Sequence, residues 1–384
     1  MKLRNYIIFC FAILCLANCN NSYSINSSAP LIEPPHILNY TNAYDDTARF
    51  LAGQTLEKEQ YKSLTENKQY EHYKTTVNEI WNAAFGPNME KVGIWRKNNL
   101  NNDYSKAIFY PFSGPDIVLP LKLYPNANEI VMFGLEPTGG IPDITKVDKA
   151  NINNHLQQFI RAIDSALNQA FFITKDMKVQ ITHSSLNGVS AIMMFFLAKN
   201  DYNIVQVKEI NITSNGSVTS EVLQSAEDSV KGIEILFTEK NSKNIKRVRY
   251  FSLDVNNTSL QVNTFGNYMQ QYPLCSTIFK SASYLVWWGN FTKIRDIILK
   301  QSESILQDDT GIPYKVLKES GSWDITHFGK YHEPIPRFRP ACYQKLLDED
   351  NRLYSKGALP FIYGYGWGVQ DMTYHLVWAR RIKK

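Results

Sequence analysis

The chain is expected to form an α/β fold: a mixed sheet flanked by helices, preceded by a helical region. Three observations lead there. Apolar residues recur at helical spacing in several long stretches. Period-two alternation marks strands after them, and the stretch from Phe109 to Pro137 reads strand, tight Gly-Pro turn, second strand, acidic residue. With 384 residues, 44% apolar and 20% charged, the composition is that of a folded globular protein, which excludes collagen, coiled coil and wholesale disorder. The 22 tyrosines, 20 phenylalanines and 7 tryptophans point to an aromatic core or cleft. A formal charge of +5 is too slight to imply a nucleic-acid partner.

The N-terminus is an address. Lys2 and Arg4 precede the uncharged apolar run Tyr6 to Ala17, too short to span a bilayer and suited to a secretory signal. Leu16-Ala17-Asn18-Cys19 resembles a bacterial lipobox, which makes residues 1–18 a signal peptide and Cys19 the lipid-bearing residue. Ordinary cleavage after Ala17 is the competing reading. Either route exports the protein to the cell envelope, lipid-anchored or periplasmic. Residues 19–43, rich in Ser, Asn and Pro, read as a flexible tether, and 44–384 as a single α/β domain. Of the five cysteines, Cys275 and Cys342 remain in that domain, either as a disulfide or as two buried thiols.

The elements follow in order. Asp45 to Phe85 reads as helix, with Tyr70, Tyr73, Val77, Ile80 and Ala84 on one face and Gly86-Pro87 as its stop. A second helix covers Asn151 to Phe172 on the face Leu156, Phe159, Ile163, Ala166 and Ala170; a third, Val189 to Lys199, is apolar all round and should be buried. Strands are expected at Val205/Val207, at Ile233/Ile235/Phe237 and at Phe251/Leu253/Val255, the last two joined by a turn at Lys240 to Asn244. A fourth helix, with Phe291, Ile294, Ile298 and Ile305 on one face, runs into the loop Gln307 to Pro313. The C-terminus offers LPFIY, a turn spaced by Gly364, Gly366 and Gly368, and a closing strand from Tyr374 to Ile382.

No phosphate loop, H-E-x-x-H, C-x-x-C or G-x-S-x-G occurs, and the seven histidines are scattered, so no metal site is expected. The layout of Phe109 to Pro137, with Asp116 in the first turn and Glu136 after the second strand, is similar to the opening half of a Rossmann-like class I methyltransferase. The terminal hairpin LPFIYGYG to TYHLVWARRI is similar to the strand pair that ends that fold. The resemblance implies a methyltransferase-like sheet. It does not extend to a cofactor: Gly114 stands alone where several glycines are wanted, Asp116 faces the place of the donor's charged tail, and Pro120 should interrupt the crossover helix. No cofactor is therefore expected, neither S-adenosylmethionine nor a nicotinamide dinucleotide.

YPFSGPD (Tyr110–Asp116), GLEPTGGIPD (Gly134–Asp143), the Lys280-Ser281-Ala282-Ser283-Tyr284 stretch and ILQDDTGIP (Ile305–Pro313) together resemble a family of exported bacterial lipoproteins that carries no assigned activity. The candidate site residues therefore rest on chemistry alone. Asp116 and Glu136 project from one sheet edge if their strands are parallel neighbours, and serve as acid and base or else cap their own turns, Glu136 on the amides of Gly139-Gly140. Lys280 with Ser281 and Ser283 is either a nucleophile cluster or a closely packed helix. Asp308 and Asp309, placed after a helix, need a cation, a metal ion or water against the helix dipole. Two functions follow: a binding or structural lipoprotein of the envelope, or an envelope hydrolase using Asp116 or Glu136 with Asp308 or Asp309.

Overall fold

The computed structural model describes residues 43–56, 58–100, 105–146, 152–169, 188–221, 228–338, 340–365 and 374–383. The expected signal peptide, Cys19, the expected tether up to residue 42, Ala170 and Phe172 at the end of the second expected helix, and Gly366 and Gly368 lie outside the described residues.

The N-terminal helical region starts at Ala43, one residue inside the expected tether, with the helix Ala43–Leu51. A second long helix, Lys68–Ile80, buries Tyr70, Tyr73 and Val77. The two are stitched by tyrosine hydroxyls: Tyr70 donates to the carbonyl of Phe50 at 2.8 Å and Tyr73 to that of Leu51. Gly86-Pro87 does not end the region as expected. The chain passes through one π turn, Trp81–Phe85, into a further helix, Gly86–Asn99, whose first turn holds Pro87, the place where a missing N–H costs nothing.

Ten strands form one sheet. They are β1 (Ala107–Pro111), β2 (Glu129–Gly134), β3 (Tyr202–Ile212), β4 (Val218–Thr219), β5 (Val230–Glu239), β6 (Ile245–Ser252), β7 (Cys275–Phe279), β8 (Ser302–Gln307), β9 (Trp323–Gly329) and β10 (His375–Arg381). Their order is β4-β3-β5-β6-β2-β1-β7-β8-β10-β9. The five central strands β6, β2, β1, β7 and β8 are parallel, and the chain winds outwards from β1 in both directions, the doubly wound plan of a Rossmann-like sheet. Antiparallel pairing extends this sheet through β5 and β3 on one side and through β10 on the other. Parallel strands need both faces covered, and β1 shows it: Ile108 and Tyr110 enter one core, Ala107 and Phe109 the other.

The helix expected from Asn151 to Phe172 is present as Ile152–Gln169 and the one expected from Val189 to Lys199 as Gly188–Lys199, with every residue from Gly188 to Ala198 buried. Four further expectations change. The strand holding Phe251 ends at Ser252, so Leu253 and Val255 belong to the following loop. The fourth helix, Thr292–Gln301, ends before Ile305, which lies in β8. The closing strand pairs with β8 and β9, not with LPFIY. Pro120 sits in the first turn of the short helix Val118–Leu123 and does not interrupt it.

Phe109 is fully buried at the centre of the sheet. Phe109→Ala should lower stability by about 3–5 kcal/mol in urea unfolding, whereas Leu353→Ala, at a position 72% exposed, should change it by less than about 0.5 kcal/mol.

Candidate functional site

Because β1, β2, β6, β7 and β8 run in parallel, the loops that follow them gather on one edge. Asp116 lies after β1, Glu136 after β2, Lys280 after β7, and Asp308 and Asp309 after β8. The structure thus brings all five candidates to the carboxyl edge. The aspartate pair follows a strand, so the expected conflict with a helix dipole does not arise.

The edge holds a cleft of about 710 Å³, within the range of small-molecule pockets. Rings of Tyr110, Phe112, Phe133, Phe291, Phe338 and Tyr365 line it. Asp116, Glu136 and Lys280 are in its wall, joined by Asp254 and Arg337. Beside it is a chamber of about 10 Å³, room for one water, whose wall includes Asp308, Asp309, His375 and the tyrosines 284, 331, 363 and 365. Ile335 and Tyr365 belong to both walls.

Asp116 and Lys280 form a buried ion pair at 2.6 Å. The remaining capacity of the carboxylate is used locally: Tyr110 donates to Oδ2 at 3.3 Å and the Leu119 N–H to Oδ1 at 3.4 Å, so Asp116 also caps its own turn. Glu136 is buried and accepts from the Tyr250 hydroxyl at 3.1 Å. The Gly139-Gly140 turn that follows meets the start of helix 188–199, where Gly188 (φ +82°) approaches Gly139 so closely that a Cβ would lie 2.2 Å from its Cα.

The Lys280 to Tyr284 segment is neither a helix nor a Ser-Lys nucleophile. Ser281, Ser283 and Tyr284 all have left-handed backbone (φ +54°, +53° and +56°), and Phe112, in the cleft wall after β1, has φ +56°. Each costs free energy for a side chain with a Cβ and needs outside support. Asp308 supplies it. Its Oδ2 accepts the Ser281 N–H at 2.8 Å, its Oδ1 accepts the Thr310 N–H at 3.0 Å, and Thr310 Oγ1 accepts the Ala282 N–H at 2.7 Å. Tyr365 donates to the Ser281 carbonyl at 3.0 Å. Lys280 is held by Asp116, so it does not activate a serine.

Burial raises the Asp308 carboxyl above the usual carboxylate range. Asp309 is pushed up to about 7, first by burial and then by the neighbouring Asp308 charge. Tyr284 donates to its Oδ2, and the His375 Nε2 lies 3.7 Å from Oδ1. Burial holds His375 down at about 3, and its Nε2 has no hydrogen-bond partner among the described residues. Cys275 and Cys342 are separate buried thiols, not a disulfide; the Cys275 Sγ donates to the Gln301 carbonyl, and burial pushes its thiol up to about 12. Among the described residues no cluster of His, Cys, Asp or Glu is suited to a metal ion.

Asp254, Arg337 and Tyr331 lie in no stretch that the sequence singled out; Tyr284, Tyr363, Tyr365 and His375 lie inside such stretches but carried no role there, and the high tyrosine content is the one signal for the rings. No family model matches the chain, and no curated protein matches it.

Lys280→Met strands a buried carboxylate and should cost about 3–5 kcal/mol in chemical denaturation; the double variant Asp116→Leu/Lys280→Met, which removes both charges, should recover most of it. The Asp309 carboxyl, raised in the folded state, stabilises the fold at low pH, and that contribution is lost as pH rises from the ordinary carboxylate range through about 7. Asp309→Asn, which does not titrate, should therefore gain stability relative to the wild-type protein across this window, measured as the difference in unfolding free energy at each pH.

Proposed function

We propose that the protein is an exported cell-envelope protein, lipid-anchored through Cys19, that binds a small molecule in the cleft at the carboxyl edge of its sheet. The observation that carries this reading is the cleft: about 710 Å³, lined by six aromatic rings and placed at the switch point where β1 and β7 part. Its charged groups favour binding over catalysis. Asp116 and Lys280 neutralise each other, Glu136 is held by Tyr250, and Asp308 is engaged by backbone amides. A turn filled by Phe112 and Asp116 also argues against S-adenosylmethionine and nicotinamide dinucleotides, whose carboxylate or pyrophosphate must approach the backbone there.

An envelope hydrolase working through Asp116 or Glu136 with Asp308 or Asp309 is the second reading. One observation favours it: the Asp309 carboxyl lies near neutral pH, where a general acid or base is most effective. The ion pair at Asp116 counts against it, since that carboxylate is committed to Lys280.

The address is tested by metabolic labelling with a lipid precursor in a bacterial host. The wild-type protein should take up label and sediment with membranes, while Cys19→Ala should be unlabelled and soluble; an unlabelled wild-type protein would indicate cleavage after Ala17 and a free periplasmic form.

A further inference from the structure

The walls of the cleft and the chamber are strongly acidic although the chain as a whole is weakly basic. Among the described residues they contain six carboxylates, Asp116, Glu136 and Asp254 in the cleft and Asp308, Asp309 and Glu333 in the chamber. Against these stand two permanent cations, Lys280 and Arg337. Lys280 is consumed by Asp116, and Arg337 is exposed at the mouth. A ligand bearing a phosphate or carboxylate would meet net repulsion there, and one bearing a positive charge would supply what the walls lack.

The chamber is more specific. One buried polar atom in its wall is left over: His375 Nε2, 3.7 Å from Asp309 Oδ1, has no hydrogen-bond partner among the described residues. Both residues are more than nine-tenths buried. With its proton on Nδ1, a neutral imidazole presents Nε2 as an acceptor, and burial keeps this ring neutral. Four tyrosines complete the enclosure, and an aromatic cage around carboxylates is the setting in which an ammonium group is held by ring faces and charge together. Room for one water-sized group admits a primary ammonium, which has three donors, and excludes a trimethylated one.

We infer that the ligand is a primary amine with an apolar or aromatic body: its ammonium group enters the chamber and donates from one side to both Asp309 Oδ1 and His375 Nε2, and its body lies in the cleft against Phe112, Phe133, Phe291 and Phe338. Tyr365 and Ile335, common to both walls, mark where head and body join. This assignment rests on the cleft being a ligand site and adds the ligand's chemical class.

The test is calorimetric titration of the full mature protein with three probes of one shape and different charge: phenethylamine, phenethyl alcohol and hydrocinnamate. The amine should bind saturably and at least tenfold more tightly than the alcohol, and the carboxylate should not bind. Asp309→Asn should erase the preference for the amine over the alcohol. His375→Phe, which keeps a ring and removes the acceptor, should weaken amine binding severalfold and leave the alcohol unchanged. Equal binding of amine and alcohol, or tighter binding of the carboxylate, would overturn the amine assignment and leave the cleft as a ligand site. Binding of none of the three would overturn both. A preference for the amine that survives Asp309→Asn would move the cation out of the chamber and refute the placement argued here.

Discussion

The arrangement of the carboxyl edge depends on the side chain of Asp308. One of its oxygens accepts the Ser281 N–H and the other the Thr310 N–H, while Thr310 in turn accepts from Ala282. The loop after β7 is thereby fastened to the loop after β8. The fit is close on the remaining side as well, because a Cβ on Gly364 (φ +66°) would lie 2.2 Å from Asp308 Oδ2. This one carboxylate joins three separate stretches of chain, and they build the wall between cleft and chamber. The left-handed conformations at Ser281, Ser283 and Tyr284 are tolerable because hydrogen bonds at Ser281, Ala282, Ser283 and Tyr284 fasten the segment, and those of Ala282 and Tyr284 are buried, where a broken bond leaves a donor unsatisfied.

Much of this architecture was legible in the sequence, for local reasons. β1 and β2 announce themselves as short apolar runs on either side of a Gly-Pro turn, and the helices at 152–169 and 188–199 by their apolar periodicity. The errors arose where a long-range contact decides. Ile298 and Ile305 are seven residues apart, two helical turns, so periodicity alone carries the helix through to Ile305. The helix stops at Gln301 because Arg381, from β10, takes the carbonyls of Leu299 and Ser302. That arginine is about eighty residues away in sequence. A helix carried through to Ile305 would set the aspartate pair against its dipole, whereas Asp308 and Asp309 follow β8 and face no helix end there. At Gly86-Pro87 the failure was of another kind: a breaker pair that ends a helix also suits the first turn of the next one.

The site residues divide in the same way. Asp116, Glu136, Lys280 and the aspartate pair could be selected because a charged residue after a buried strand is conspicuous. Their partners were hidden. Nothing in the sequence connects Lys280 with Asp116, 164 positions apart, or His375 with Asp309. Net charge misleads similarly: it averages over the surface, whereas the field inside a cleft is set by the few groups in its walls. A weakly basic chain therefore carries an acidic pocket.

The abundance of tyrosine acquires a physical reason at this edge. A buried carboxylate requires donors, and a site that receives an apolar body requires rings; tyrosine meets both needs with one side chain. Tyr110 donates to Asp116, Tyr250 to Glu136, and Tyr284 to Asp309, each with its ring in the interior and its hydroxyl on an acid. Phenylalanine in these places would leave the acids short of donors, and serine would leave the cleft without walls. Acids that are hydrogen-bonded by tyrosines but not ion-paired remain able to receive a charge from outside. That property separates Asp309 and Glu136 from Asp116, whose charge is already matched by Lys280, and it leaves open acids both in the chamber and in the wall of the cleft that leads to it.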